Sequence, residues 1–184
     1  MRVIAGKYKA TKLVSPHGEV RPTTDLVKGS LFSMLQSKGL LADADCLDLF
    51  CGSGSLGIEA LSRGARSCVF VDADTKNAAV NLDKLGISAR TVKADFRKAF
   101  RLLREQKFDL VFCDPPYKTD YAEQALRLLI KYGMLGENGV AVIEHAVGTT
   151  LDVSGSKSID RRVFGVSAFD LVRGDNEGDI CGNV

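Results

Sequence analysis

The stretch CLDLFCGSGSLGIEAL, residues 46–61, decides how the rest of the chain is read. An apolar run interrupted only by Asp48 ends in Gly52, Gly54 and Gly57, spaced as GxGxxG, and a helix-period apolar pattern follows. Glycines at this spacing allow a strand to turn sharply into a helix and let a ligand approach the backbone. Asp72 closes the next apolar run, 20 residues after Gly52. A carboxylate there can accept hydrogen bonds from both hydroxyls of a ribose. The combination suggests a nucleotide-containing cofactor, with Gly52, Ser53 and Gly54 lining it, rather than a turn of structural purpose only.

On either side of this stretch the pattern alternates. Strands are expected at 46–50, 68–72, 90–93, 108–113 and 140–144, with helices near 56–63, 75–85, 96–105 and 120–131. Such alternation implies a parallel sheet covered by helices on both faces, the α/β doubly wound class. Two further strands, 157–163 and 167–172, are joined by a short turn at Gly165 and should be antiparallel, so the last strand breaks the parallel order. Upstream, residues 2–5 and 11–14 read as a small hairpin. The segment RPTTD then starts a helix whose stripe is Leu26, Val27, Leu31, Phe32 and Leu35, with Gly29 inside it. The expected organisation is one domain over 1–173, with a basic hairpin arm at 1–20, a lid helix at 23–38 and a Rossmann-like core at 45–173. A flexible polar tail at 174–184 follows.

Asp48 helps choose the cofactor. It precedes the glycine loop, where a dinucleotide would place a pyrophosphate that a carboxylate repels. S-adenosylmethionine would place an ammonium and a sulfonium there, which a carboxylate favours. The sulfonium cofactor is preferred over NAD; an Asp48 that merely bonds its own loop stays open. Asp95, in VKADF, is placed either to reach an adenine amine, with Phe96 near the ring, or simply to cap the following helix.

The run FDLVFCDPPYKTDY, residues 108–121, then gains a meaning. In a doubly wound sheet the crevice lies at the carboxyl ends of the strands, so Asp114 is delivered beside the cofactor. Pro115 and Pro116 leave stiff backbone rich in acceptors and without donors. The Asp114 carboxylate and the Pro115 carbonyl can accept both hydrogens of an NH2 group, while Tyr117 offers a face to a planar base. An exocyclic amine is a poor nucleophile because its lone pair is delocalised into the ring. Two acceptors can orient it toward a sulfonium methyl. Asp114, Pro115 and Tyr117 are therefore the candidate catalytic residues, with Asp114 also bordering the cofactor.

Composition sets limits on the rest. The 184 residues carry a net charge of +2, are 45% hydrophobic and 26% charged, and contain no apolar run long enough to span a membrane. The opening lacks the apolar block of a signal peptide, so a cytoplasmic protein is expected. The five cysteines form no CxxC pair and read as small buried residues, and His17 and His145 lie far apart, so no metal is expected. Charge is uneven: residues 1–40 hold seven Lys and Arg against Glu19 and Asp25, and the remainder is net acidic. That arm (Arg2, Lys7, Lys9, Lys12 and Arg21, continuing into Thr23 and Thr24) suits a polyanionic partner.

With RVIAGKYKATKL, RPTTDLVKGSLF, LDLFCGSGSLGIEALSRGA, VFVDAD, FDLVFCDPPY and EHAV in view, the chain resembles the RsmD family of bacterial rRNA guanine-N(2) methyltransferases over residues 1 to about 173. The resemblance implies a seven-stranded class I methyltransferase fold, S-adenosylmethionine as donor with S-adenosylhomocysteine as product, and a guanine of 16S rRNA as acceptor. It implies cofactor contacts from Asp48, Gly52, Gly54, Asp72 and Asp95, a base clamp of Asp114, Pro115 and Tyr117, and a lid at RPTTD. The partner is ribosomal RNA in a small subunit or its assembly intermediate, met by a monomer. Two departures from the family pattern stand out: Gly29, where an acidic residue is usual, and Phe169–Asp170 in the last strand. Alternatives are an amino-methyltransferase for DNA adenine or another RNA base, a NAD-linked oxidoreductase, and a non-catalytic RNA-binding domain.

Overall fold

The computed structural model describes residues 1–15, 25–116, 119–152 and 154–174. In chain order the elements are α1 (Asp25–Ser37), β1 (Asp45–Leu49), α2 (Ser55–Ser62), β2 (Ser67–Asp72), α3 (Lys76–Lys84) and β3 (Arg90–Lys93). There follow α4 (Phe96–Leu103), β4 (Phe108–Cys113), α5 (Tyr121–Lys131), β5 (Leu135–Ala146), β6 (Ser156–Phe164) and β7 (Ser167–Gly174). The strands form one seven-stranded sheet in the order β3-β2-β1-β4-β5-β7-β6. β1 to β5 run parallel, and β7 lies antiparallel between β5 and β6. The α/β class and the antiparallel last strand are as the alternation predicts. Insertion of β7 between β5 and β6, and the extension of β5 back to Leu135, are not.

Both faces of the sheet are covered, which is why β1 is buried from Cys46 to Leu49 whichever way a side chain points. One face, built on Cys46, Cys68, Phe70, Phe112 and Val142, packs against α1 and α2 and receives Ala78 and Leu82 of α3. The other, built on Leu47, Val71, Val111 and Ile143, packs against α4 and α5. The covering helices follow from sequence period: α4 buries Phe96, Ala99, Phe100 and Leu103, and α5 buries Ala122, Ala125, Leu126 and Leu129. The thiols of Cys46, Cys51, Cys68 and Cys113 are free and buried, and burial pushes that of Cys46 up to about 12.

One local expectation is corrected. The α1 stripe is not headed by Leu26, which is 79% exposed; Lys28 is buried in its place with Leu31, Phe32 and Leu35. Burial lowers the Lys28 pKa, and the cation is held by the buried Glu59 of α2 at 3.5 Å and by the Arg2 carbonyl at 2.7 Å. The amino-terminal arm folds back on itself as its sequence suggests, through the antiparallel bridge Arg2↔Lys12 and the bonds from Val3 N to the Thr11 carbonyl at 3.0 Å and from Leu13 N to the Met1 carbonyl at 3.2 Å. It is also seated on α2. Glu59 accepts from the amides of Ile4 and Ala5 at 2.7 and 3.0 Å, while Arg63 bonds the same carboxylate at 2.7 Å. Ser62 Oγ donates to the Ala5 carbonyl, and its backbone carbonyl accepts from Lys7 N. A buried carboxylate serving two amides and two cations fixes where the arm leaves the core.

Candidate functional site

The glycine loop leaves β1 through Phe50, whose φ of 58° is left-handed, and continues through Gly52 and Gly54 at 52° and 76°. A non-glycine residue in that region stores strain, which concentrates at working loops. Around Gly52 the space is open, since a Cβ added there would meet nothing within 4 Å. Gly57 has the opposite reason for being glycine: a Cβ there would stand 2.5 Å from Phe70 Cε1 and 2.7 Å from Cys68 Sγ. It lets α2 lie close against β2.

Side chains alternate along a strand, so Asp48 shares the face of Cys46, Asp72 that of Phe70, and Glu144 that of Val142. Asp114, one residue past β4, stands on the same face. The register continues this line, with Asp48 opposite Phe112 and Cys113 opposite Ile143. Four carboxyl groups thus line the carboxyl ends of β2, β1, β4 and β5, on the face covered by α1 and α2.

Their environments differ. Asp48 is 1% exposed, and one of its oxygens accepts from Gly57 N at 2.9 Å. Burial pushes its pKa up to about 7 against the pull of that amide. Asp72, half-buried, accepts from Gly52 N and Asp74 N, both at 2.9 Å. Asp114 is half-buried by area yet enclosed by neighbours. Burial first, then the Glu144 charge and a hydrogen bond to Glu144, and then Asp48, hold its carboxyl well above the usual range. Pro115 is buried, and the Pro116 carbonyl is taken by Thr119 Oγ1 at 2.7 Å.

Several sequence expectations take a different form. Asp48 is bonded to its own loop, the reading left open beside a cofactor contact. Ser53 is 5% exposed, its hydroxyl 3.3 Å from Met1 Sδ and its carbonyl taken by Asn81, so it supports the loop from beneath. Asp95 caps α4, accepting from Arg97 N at 3.0 Å, and remains exposed. Phe96 lies deeper than Asp95. It is 4% exposed and packs at 5.0 Å against both Phe50 and Tyr121, because the apolar face of α4 turns it into the core. Arg2 is not a free cation, since Asp25 holds it at 2.9 Å. Lys7, Lys9 and Lys12 are exposed. Tyr117, Arg21, Thr23, Thr24, His17 and residues 175–184 of the tail lie outside the described residues, while Gly174 closes β7.

Two features are not legible in the sequence. Glu144 lies in EHAV, where nothing in the local pattern marks it for a role. The cluster of Phe50, Phe96 and Tyr121, with the Arg97 guanidinium 4.4 and 4.9 Å from the Phe96 and Tyr121 rings, joins residues distant along the chain. Among the described residues no group of three or more His, Cys, Asp or Glu is arranged to hold a metal ion, and no helix is long and apolar enough to cross a membrane.

Comparison with known proteins adds a second line of argument. The family model described as Conserved hypothetical protein 95 matches residues 1–173. A Bacillus subtilis (strain 168) protein, YlbH, carrying a provisional rRNA methyltransferase name, is 44% identical over 79% of this chain and 82% of its own. The Escherichia coli (strain K12) protein named ribosomal RNA small subunit methyltransferase D is 32% identical over 97% of this chain and 92% of its own. Among solved structures, a hypothetical protein of Thermus thermophilus superposes with a TM-score of 0.82 at 27% identity, covering 94% of this chain and 99% of that one.

Proposed function

The chain belongs to the family described as Conserved hypothetical protein 95, and from that premise we propose that it methylates the exocyclic N2 amine of a guanine in 16S rRNA with S-adenosylmethionine as donor. The observation that carries the reading is the line of carboxyl groups at the strand ends, on one face, beside a glycine loop with open space at Gly52. A buried Asp48 whose pKa is pushed up to about 7 is a site awaiting positive charge. A pyrophosphate would be repelled along the whole line, whereas a sulfonium and an ammonium suit it. The relatives named as small-subunit rRNA methyltransferases support methyl transfer to ribosomal RNA, and the choice of guanine rests on the resemblance of the motifs.

S-adenosylmethionine, when bound, supplies a methyl group made electrophilic by the sulfonium. Asp72 and the loop amides are suited to its ribose and Asp48 to its charged end, with Asp95 near the base. The Asp114 carboxylate and Pro115 carbonyl hold the acceptor amine, with Tyr117 as its stacking face. The protein acts as a monomer in the cytoplasm on the small subunit or its assembly intermediate.

The test is methyl incorporation into 16S rRNA or assembling particles, followed by digestion to nucleosides. N2-methylguanosine is expected; methyladenosine, methylcytidine or no product would overturn the reading. In that assay Asp114→Ala should lower the rate by about a hundredfold or more, from a lost charged acceptor and misaimed attack. S-adenosylmethionine should still bind within a few-fold. Near wild-type turnover in a folded Asp114→Ala protein would remove the clamp.

A further inference from the structure

Asn81 of α3 is fully buried, and its side-chain amide joins two parts of the chain with different duties. Its Oδ1 accepts from Val14 N at 2.8 Å, and its Nδ2 donates to the Val14 carbonyl at 2.9 Å and to the Ser53 carbonyl at 2.9 Å. A primary amide offers the same donor and acceptor as a peptide unit. Asn81 therefore pairs with the arm at Val14 as a neighbouring strand would, and has one N–H left for the glycine loop. The amide cannot be turned end for end, because Oδ1 would then face two carbonyl oxygens. Val14 thus decides the orientation in which Ser53 finds its donor.

The Ser53 carbonyl lies at the centre of the loop. On either side of it, Gly52 and Gly54 take left-handed φ angles of 52° and 76°. Glycines turn at little cost, so this peptide needs to be held from outside. Gly52 N donates to Asp72 at 2.9 Å, and Gly54 N donates to the Cys51 carbonyl at 2.6 Å. In a planar trans peptide the Ser53 carbonyl points opposite to the Gly54 N–H, so Asn81 fixes the same unit from its other end. The arm meets α3 and the loop at this place twice more. Met1 Sδ lies 3.3 Å from Ser53 Oγ, and Lys84 Nζ donates to the Lys12 carbonyl at 2.8 Å.

We propose that Asn81 is a positioning residue that sets the cofactor loop through the seating of the arm, so that S-adenosylmethionine and RNA bind with positive coupling. The inference rests on the reading of the loop as the donor's site and of the arm as an RNA contact. When Val14 departs, Oδ1 and one N–H of a buried amide lose their partners, and unmade bonds of that kind are expensive. The amide then turns to find others, and the peptide between the two glycines loses its donor. Phosphates held by Lys7, Lys9 and Lys12 favour the seated arm, and Lys12 stands two residues from Val14. RNA that prefers the seated arm therefore also prefers the set loop. By linkage the donor raises the affinity for RNA by the same factor.

Titration calorimetry with S-adenosylhomocysteine, which binds without turnover, tests this in the protein alone and with saturating 16S rRNA transcript. The wild type should bind it about fivefold or more tightly with RNA present, the lower end of ordinary coupling between sites. Val14→Pro removes the arm's N–H at a position that is 42% exposed and leaves Asn81 in place. It should weaken RNA-free binding by about three- to tenfold, the measure of one lost hydrogen bond, and bring the coupling factor toward one. Asn81→Asp keeps the size and the acceptor for Val14 N but donates to neither carbonyl. It should act the same way, raising the KM for S-adenosylmethionine while kcat at saturating donor stays within a few-fold. If Asn81→Asp does not fold, Val14→Pro decides. An amide of structural purpose only would lower the melting temperature of Val14→Pro and leave affinity and coupling, measured well below it, unchanged. That result would overturn the proposal. A wild type that methylates RNA yet binds S-adenosylhomocysteine equally with and without it would overturn the proposal alone. If the wild type methylates no RNA while Val14→Pro still weakens S-adenosylhomocysteine, the function proposed above fails and the tie between arm and loop stands.

Discussion

Asp48 shows how a single residue links stability to ligand choice. Its pKa in the fold, about 7, lies above the usual 3.8 because burial penalises the anion. A raised carboxyl pKa stabilises the fold while the group is protonated. That contribution is complete below about pH 4 and is lost as pH climbs through about 7. The cofactor-free protein should therefore lose stability across this window. Asp48→Asn can still accept from Gly57 N but does not titrate. Its melting temperature should exceed the wild type's at pH 8 and match it near pH 4, as read by scanning calorimetry. An equal difference at both pH values would contradict the burial argument. The same substitution should weaken S-adenosylmethionine by about ten- to a hundredfold in titration calorimetry, the cost of one lost charged interaction.

Among the elements, α2 is held close to β2 by the absence of a side chain at Gly57. Gly57→Ala would drive a methyl group into the Phe70 ring and the Cys68 sulfur, both buried. Overpacking of that kind costs about 1–3 kcal/mol. It also pushes the glycine loop away from Asp72, so denaturation midpoint and cofactor affinity should fall together. Gly29 in α1 gives the contrary prediction. Its added Cβ would meet only Ile4 Cγ2, at an ordinary 3.7 Å. Gly29→Ala should stabilise by about 0.5–1 kcal/mol through reduced freedom of the unfolded chain, visible as a higher denaturant midpoint with an unchanged slope. These elements are legible in the sequence because α4 and α5 repeat apolar residues at helical period and β1, β2 and β4 are short apolar runs. Lys28 is not, because a lysine in a helix reads as solvated until Glu59, far along the chain, is seen beneath it. Glu144 is hidden for a related reason. A carboxylate closing an apolar run looks like a strand reaching water, and only the pairing of β5 with β4 sets it against Asp114.

At the scale of the whole molecule, the charge asymmetry of the sequence becomes a surface. Lys7, Lys9 and Lys12 are exposed on an arm whose backbone is pinned to α2 through Glu59 and Ser62, so a phosphate backbone would meet cations held at a fixed place. Changing all three to Ala should weaken RNA binding and flatten its dependence on log salt by about 0.7–0.9 for each phosphate no longer neutralised. S-adenosylmethionine affinity should not change. An unaltered slope would make the arm a structural strap. Parallel order in the first five strands can be read from alternation alone, but the strand order at the far edge cannot. An antiparallel pair after β5 is equally compatible with either strand lying next to it, and the choice is made by packing of Phe169 and Leu171 into the core.

That choice bears on how the protein comes into being. β6 is synthesised before β7 yet pairs only with it, and β5 receives its second neighbour only when residues 167–174 exist. A nascent chain that has emerged as far as Phe164 therefore carries a five-stranded sheet with the 140–146 border unsatisfied, and β6 has no ladder to join. Such a border is a template for other chains and a natural substrate for chaperones. Glu144 stands on it. The strand-end face that carries Asp114 and Glu144 therefore gains its last neighbour only after residues 167–174 have been translated, and until then the 140–146 border lies open beside it.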